Sequence, residues 1–404
     1  MTASPASTFG SRNAGVQSAP EFRLLQLCAR SRPAPFPEVS ELLSCLDWDR
    51  LLTKAIDQGM LPLLWRRLPP NAWEMAPPGI RDRFAEAARR ATAQALLLAS
   101  TLPRILGWLQ EAGIAAVPFK GPALAFFLYR DVSLRQMFDL DLLVAARDVP
   151  RAQQLLCDHG LLPSFPLPDS AQLEVLRNEC ESSFDTRDGS YAVELHWQIA
   201  PRLYGIDLPS EPLLARSRLV PFERRQVLAL APEDLVLALC AHAAKHAYRR
   251  LGWIVDLAEC LRVDHQVDWE LLLARSREAR ALRMLAVGLE LAAAILEAPV
   301  PAGVRASWRR DHHVVAAVAC VLRDYMPEAE SELRLARHLF HLRLCDGWRQ
   351  RLRYAAGLFL IPTMAERTRG ARYGGASRLA RSLGRIFERG CSAATGKAGS
   401  AARP

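Results

Sequence analysis

Apolar residues recur at helical spacing early in the chain. Leu42, Leu43, Leu46, Leu51, Leu52 and Ile56 form one stripe, so Glu21 to Leu68 is expected to be helical, ending at Pro69-Pro70. A long helix is expected from about Ile80 to Glu111, with an apolar middle at Ala91 to Leu98 and Gly113 as its C-terminal cap. The pattern changes at Ile114, where Ile114 to Phe119 reads as a short strand. Gly121-Pro122 then opens a helix, Ala123 to Tyr129, because proline costs nothing in a first turn. Leu140 to Val144 reads as a second strand, and Asp148 to His159 as a helix capped by its Asp and closed by Gly160.

Two strand-like runs follow, Glu181 to Asp185 and Tyr191 to Ile199, around Arg187-Asp188-Gly189. Asp-Gly is a strong hairpin signal. Helical spacing returns with Glu233 to Tyr248, Trp253 to Leu261, Trp269 to Arg280, Leu282 to Leu296 and Val314 to Leu342. These runs predict an α/β (α+β) protein: a small mixed-sheet core between N-terminal and C-terminal helical regions. The expected divisions are a disordered leader over 1–20, a helical region over 21–112, the α/β core over 113–230, a helical domain over 231–345, and a basic segment with a disordered tail over 346–404.

Composition changes this picture little. Half of the 404 residues are hydrophobic and 24% are charged, as in ordinary folded proteins. The nine cysteines are scattered without a CxxC pair, which excludes a zinc ribbon or disulfide framework and suits buried thiols in a reducing, cytoplasmic setting. The leader has no apolar core and reads as no signal peptide, and no apolar run reaches the roughly 20 residues of a membrane span. Formal net charge is +9, and from Arg349 to Arg389 ten arginines face only Glu366 and Glu388. The plain reading is a solvated helix; the functional one is peripheral contact with an anionic membrane surface. No aromatic or glycine pattern of a nucleic-acid module accompanies it, so nucleic acid is not expected as a partner.

The chemistry gathers in the middle. Alternation along a strand sets Asp139 and Asp141 on one face and Leu140, Leu142 and Val144 on the other. Paired carboxylates repel unless a cation sits between them, and hard oxygen donors suit Mg²⁺ or Mn²⁺. Glu194 and His196 likewise share one face, opposite Val193, Leu195 and Trp197, so Glu194 is a third acid for a metal or a proton, and His196 reads as structural support. The turn Lys120-Gly121-Pro122 offers a close backbone approach and a helix N-terminus to an anion, and Lys120 or Arg135 could neutralise phosphate. Arg135 could instead pair with Asp139 or Asp131. His242 and His246 stand four apart, but the glutamate of HExxH is missing. They, with Lys245 and Asp256, read as a candidate acceptor pocket rather than a zinc site. No Walker loop, G-x-G-x-x-G or G-x-S-x-G is found.

The segments VPFKGPALAFFLYRDVSLRQMFDLDLLV, VELHWQI and HAAKHAYRRLGWIVDLAECLR, in that order, resemble the bacterial uncharacterised nucleotidyltransferase family, a branch of the polymerase β-like superfamily. The resemblance covers roughly Leu96 to Leu261. It implies a mixed sheet flanked by helices, divalent metal on Asp139, Asp141 and Glu194, and transfer of a nucleotidyl group from a nucleoside triphosphate. The acceptor would be a small molecule, glycan or peptide. Two departures stand out: Lys120-Gly121-Pro122 replaces the superfamily's usual Gly-Ser loop, and the third acid is Glu194 where Asp is commoner. The alternatives are a catalytically silent nucleotide-binding or partner-regulating protein, and a membrane-surface scaffold.

Overall fold

The computed structural model describes residues 19–31, 35–166, 169–263, 267–323 and 333–361. Residues 1–18 of the expected leader and 362–404 of the basic end and tail lie outside the described residues. The N-terminal helical stretch is divided into α1 (Pro20–Ala29), α2 (Phe36–Leu43), α3 (Trp48–Asp57) and α4 (Leu61–Arg67). It restarts at α3 because Asp47 caps that helix, accepting hydrogen bonds from the N–H groups of Asp49 at 2.9 Å and Arg50 at 3.0 Å. Helix α5 (Ile80–Glu111) has the length its pattern predicts.

The α/β core then runs β1 (Ala116–Pro118), α6 (Gly121–Tyr129), β2 (Asp139–Val144), α7 (Val149–Asp158), β3 (Leu162–Pro163), α8 (Asp169–Asn178), β4 (Glu181–Asp185) and β5 (Ala192–His196). Asp148 does not cap α7 as expected; its carboxylate faces Arg151 at 3.5 Å and Arg147 at 3.8 Å. The five strands form one mixed sheet in the order β1-β2-β5-β4-β3. Only β2 and β5 pair in parallel; the other neighbours are antiparallel.

Helix α9 (Ser210–Ala215) leads to a second hairpin, β6 (Arg218–Phe222) and β7 (Arg225–Ala229), which the sequence pattern did not predict. Pro221 lies within β6, opposite Gln226, and argues against a strand in the sequence; the turn uses Glu223 at φ +51°, where glycine would have been the readable signal. The chain closes with α10 (Pro232–Lys245), α11 (Leu251–Val263), α12 (Trp269–Glu278), α13 (Leu282–Leu296), α14 (Ala302–Ala306), α15 (His312–Arg323), α16 (Leu333–Leu344) and α17 (Trp348–Leu360). The eight described cysteines are free, and Cys45 and Cys157 are exposed rather than buried. No described helix is long and apolar enough to cross a membrane.

The sheet has two unlike faces. Leu140, Leu142, Val144, Val193 and Leu195 bury against the second half of α5 and against Val149, Ala152 and Leu156 of α7. On the other face, Leu143 joins Val117 and Phe119 in a cluster shared by α1, α4, α10, α11 and α13. That cluster draws residues from both ends of the chain, including Leu24, Leu64, Val236 and Leu285. The rest of this second face is polar.

Gly121 fixes where α6 starts. Its φ is +60°, and a Cβ there would stand 3.2 Å from the Asp139 carbonyl oxygen. Left-handed backbone costs an L-residue about 1–2 kcal/mol, and the contact adds to it. Gly121→Ala should lower the unfolding free energy extrapolated from urea melts by at least about 1–2 kcal/mol, seen as a lower midpoint at an unchanged m-value. An unaltered midpoint would show that this approach of α6 to β2 does not constrain the fold.

Candidate functional site

Register builds the polar face. In the parallel pair, Asp141 lies opposite Glu194, Asp139 opposite Ala192, and Leu143 opposite His196. The antiparallel pair places Glu181 beside His196 and Ser183 beside Glu194. Alternation then sends Asp139, Asp141, Glu194, His196 and Glu181 to the same side. From the turn after β1 comes Lys120, from the loop before β2 comes Arg135, and α10 and α11 bring His242, Lys245 and Asp256.

Asp141 is 3% exposed and His196 1%. The Lys120 ammonium forms a buried ion pair with Asp141 and lies 3.3 Å from His242 Nδ1. An ammonium only donates, so Nδ1 of His242 accepts. His196 Nε2 stands 3.1 Å from Asp141 Oδ1 and 3.4 Å from Glu194 Oε2. Its Nδ1 has Glu181 Oε2 at 3.3 Å, a charge contact without hydrogen-bond alignment. Glu181 in turn receives Lys245 Nζ at 2.9 Å on each oxygen.

The charges shape one another. Burial opposes ionisation of Asp141, yet Lys120 and the hydrogen bond with His196 outweigh it and hold the carboxyl well below its usual range. Burial also opposes a charged His196, but Asp141, Cys180, Glu194 and Glu181 raise it well above the usual imidazole value. Asp139 lacks such a partner: burial, then Asp141 and Glu194, push it up to about 7. His242 and His246 are driven toward the neutral form by burial and by Lys120 and Lys245, respectively, the latter to about 3. Burial, more than any imbalance of charge, sets Asp139 apart: Asp141 and Glu194 raise it while Lys120 and Arg135 lower it.

Among the described residues, the side-chain donors that converge tightly enough for a metal are Asp141, Glu194 and His196, and separately Cys180, Glu181 and His196. Asp139 shares the face one pleat away and is in neither group. His196 is thus central rather than peripheral to the acids. Arg135 pairs with neither Asp139 nor Asp131. Its Nε donates to both oxygens of Asp256 at 3.0 and 3.1 Å, while Asp131 caps its own turn through Ser133. His242 and His246 stay side by side at the end of α10, with ring centroids 5.1 Å apart, and both pack on Trp253 at 5.2 and 4.9 Å.

Of the expected acceptor-pocket residues, Lys245 is tied to Glu181 and Asp256 to Arg135, and the cavity beside Arg135, Trp253 and Asp256 has a volume of about 30 Å³. That is room for about one water. A far larger groove, about 790 Å³, runs along α5 past Arg83, Glu86 and Arg90 to Phe138, the residue before Asp139.

Glu181 escaped the sequence reading, although a signal for it exists. Counting outward from Asp188-Gly189 as a two-residue turn pairs residue 181 with residue 196, which is the register found.

The family model described as uncharacterised nucleotidyltransferase matches residues 44–297, more than half of the chain and all of this site. Neither a curated protein nor a solved structure matches the chain.

Asp139 gives a pH test. Its native value near 7 exceeds the ordinary 3.8, so between these values the native state holds a proton that the unfolded chain has lost. The associated stability is present below 3.8 and is lost as pH rises through 7. In chelator, Asp139→Asn should therefore melt several degrees higher than wild type at pH 8, with the gain closing near pH 4. A variant no more stable at pH 8 would contradict the crowding of acids around Asp139.

Proposed function

The chain belongs to the uncharacterised nucleotidyltransferase family, and on that premise we propose that it is a metal-dependent transferase of the polymerase β-like kind. It moves a nucleoside monophosphate from a nucleoside triphosphate to an acceptor hydroxyl or phosphate. The acceptor oxygen attacks the α-phosphorus, the bond to the bridging oxygen breaks, and pyrophosphate leaves.

One observation carries this reading: a strand face, buried at Asp141, on which Asp141 and Glu194 stand in register, with the half-buried Asp139 one pleat away. Carboxylate oxygens held this way fit Mg²⁺ or Mn²⁺, which would offset the burial and the neighbouring acids that raise Asp139. Asp139, Asp141 and Glu194 would hold the ion, with His196 positioning the latter two. A bound ion supplies neutralisation of the triphosphate and of charge developing at the α-phosphorus.

The remaining parts have distinct tasks. Gly121 admits the triphosphate close to the backbone, and the N-terminus of α6 presents free N–H groups to it. Lys120, whose ammonium now pairs with Asp141, would serve as a cation for phosphate oxygens. Arg135 uses Nε on Asp256 and keeps its other N–H groups for phosphate oxygens. Glu194 takes the acceptor proton. His242, Lys245, His246 and Asp256 set the charge around the nucleotide, and the groove ending at Phe138 has room for the acceptor.

The test needs no acceptor. Thermal unfolding is measured with each nucleoside triphosphate, with and without Mg²⁺ or Mn²⁺, for wild type and Asp139→Asn/Asp141→Asn. Ligand at about 100 times its Kd stabilises by roughly 2.7 kcal/mol, enough for a shift of several degrees. Wild type should show a metal-dependent shift that the double variant lacks. No shift in folded wild type for any triphosphate would overturn the proposal.

A further inference from the structure

Helix α17 lies beyond the family-matched residues 44–297. Its inner face is firmly engaged. Gln350 Nε2 donates to the Tyr204 carbonyl at 2.9 Å, and the Tyr354 hydroxyl lies 2.9 Å from His338 Nδ1 and 3.2 Å from His341 Nδ1. Gly357 lets Leu203 approach so closely that a Cβ would stand 2.6 Å from its side chain.

The outer face is unlike an ordinary solvated helix. Trp348, Leu352 and Leu360 are 66%, 61% and 61% exposed, and Ala356 between them is also exposed. These four are each four residues apart, so they form one continuous apolar row. Scattered exposed apolar residues need no explanation, but an aligned row does. Arg349 and Arg353 run alongside it, both exposed, with the Arg349 guanidinium 5.3 Å over the Trp348 ring.

We propose that this face of α17 docks on an anionic lipid surface, lying flat with its apolar row among the acyl chains and its arginines at the headgroups. Tryptophan and leucine edged by arginine is the composition of an interfacial helix, since the arginine stem follows the apolar layer while its charge stays in water. Charge complementarity favours anionic lipid: from Arg349 to Arg389 the sequence carries ten arginines against Glu366 and Glu388. Binding to nucleic acid would use the arginines and leave the apolar row without purpose. At 13 residues, α17 is too short to span a bilayer.

The full chain is co-sedimented with phosphatidylcholine vesicles, with and without phosphatidylserine. Wild type should bind only the vesicles containing phosphatidylserine. Arg349→Ala/Arg353→Ala should weaken that binding about 25-fold, at about fivefold for each arginine near the surface. Trp348→Ser/Leu352→Ser should weaken it by about a hundredfold or more, since burying each side chain in the acyl layer contributes about tenfold or more. Equal melting curves for the variants and wild type keep misfolding apart from loss of binding. Wild type remaining in the supernatant would overturn the proposal, as would undiminished binding by the serine pair. A wild-type dimer that the serine pair dissolves, with vesicle binding unaffected, would assign the row to self-association instead. Binding to duplex DNA that is tighter than to vesicles and indifferent to the serine pair would also overturn it.

Discussion

A buried carboxylate must be met by positive charge, and Asp141 is the residue on which this requirement falls hardest. Lys120 and His196 both reach it, and each is itself buried. Such pairs contribute little net stability, because desolvation offsets their attraction; removing one partner is what costs. The arrangement is better understood as a charge balance set for exchange. On the proposed reading, the buried Lys120 ammonium neutralises an acid that a metal ion would otherwise share, and its flexible side chain lets it swing away. The shared apolar cluster of N-terminal and C-terminal helices lies beside this face, and burial of Lys120, Asp141 and His196 strengthens their charges, while Glu181 and Glu194 stay partly exposed.

Much of this was legible in the sequence because it depends on period and on turn chemistry. Two-residue alternation assigned Asp139, Asp141 and Glu194 to one side of their strands, and the mixed sheet flanked by helices is as the family resemblance implied, with the two-residue β3 unmarked by the pattern. The long α5 and the hairpin at Asp188-Gly189 were equally readable, since caps and glycine turns mark them. Long-range pairing was not readable. Nothing local says that Arg135 reaches Asp256, 121 residues away, or that Lys245 reaches Glu181 across 64. The β6–β7 hairpin stayed hidden for a local reason: its turn forces a glutamate into left-handed backbone, and a proline breaks the strand pattern.

The two halves of the account occupy different parts of the chain. The site lies within the residues that the family shares, whereas the apolar row of α17 lies beyond them. Tyr204 links the regions: its carbonyl accepts from Gln350 of α17 and its hydroxyl donates to the Lys245 carbonyl at 3.3 Å, next to the cation that holds Glu181. A rigid connection of this kind fixes the orientation of the site relative to whatever surface α17 meets.

The central claim is that Lys120 stands in for a divalent cation on Asp141. Titration of Mn²⁺ followed by the electron paramagnetic resonance of the free ion, in wild type and Lys120→Met, tests it most directly. Removing the competing ammonium should make the variant bind Mn²⁺ more tightly than wild type, saturating at one added equivalent where wild type still shows free ion. Binding that is unchanged or weaker in Lys120→Met would contradict the account.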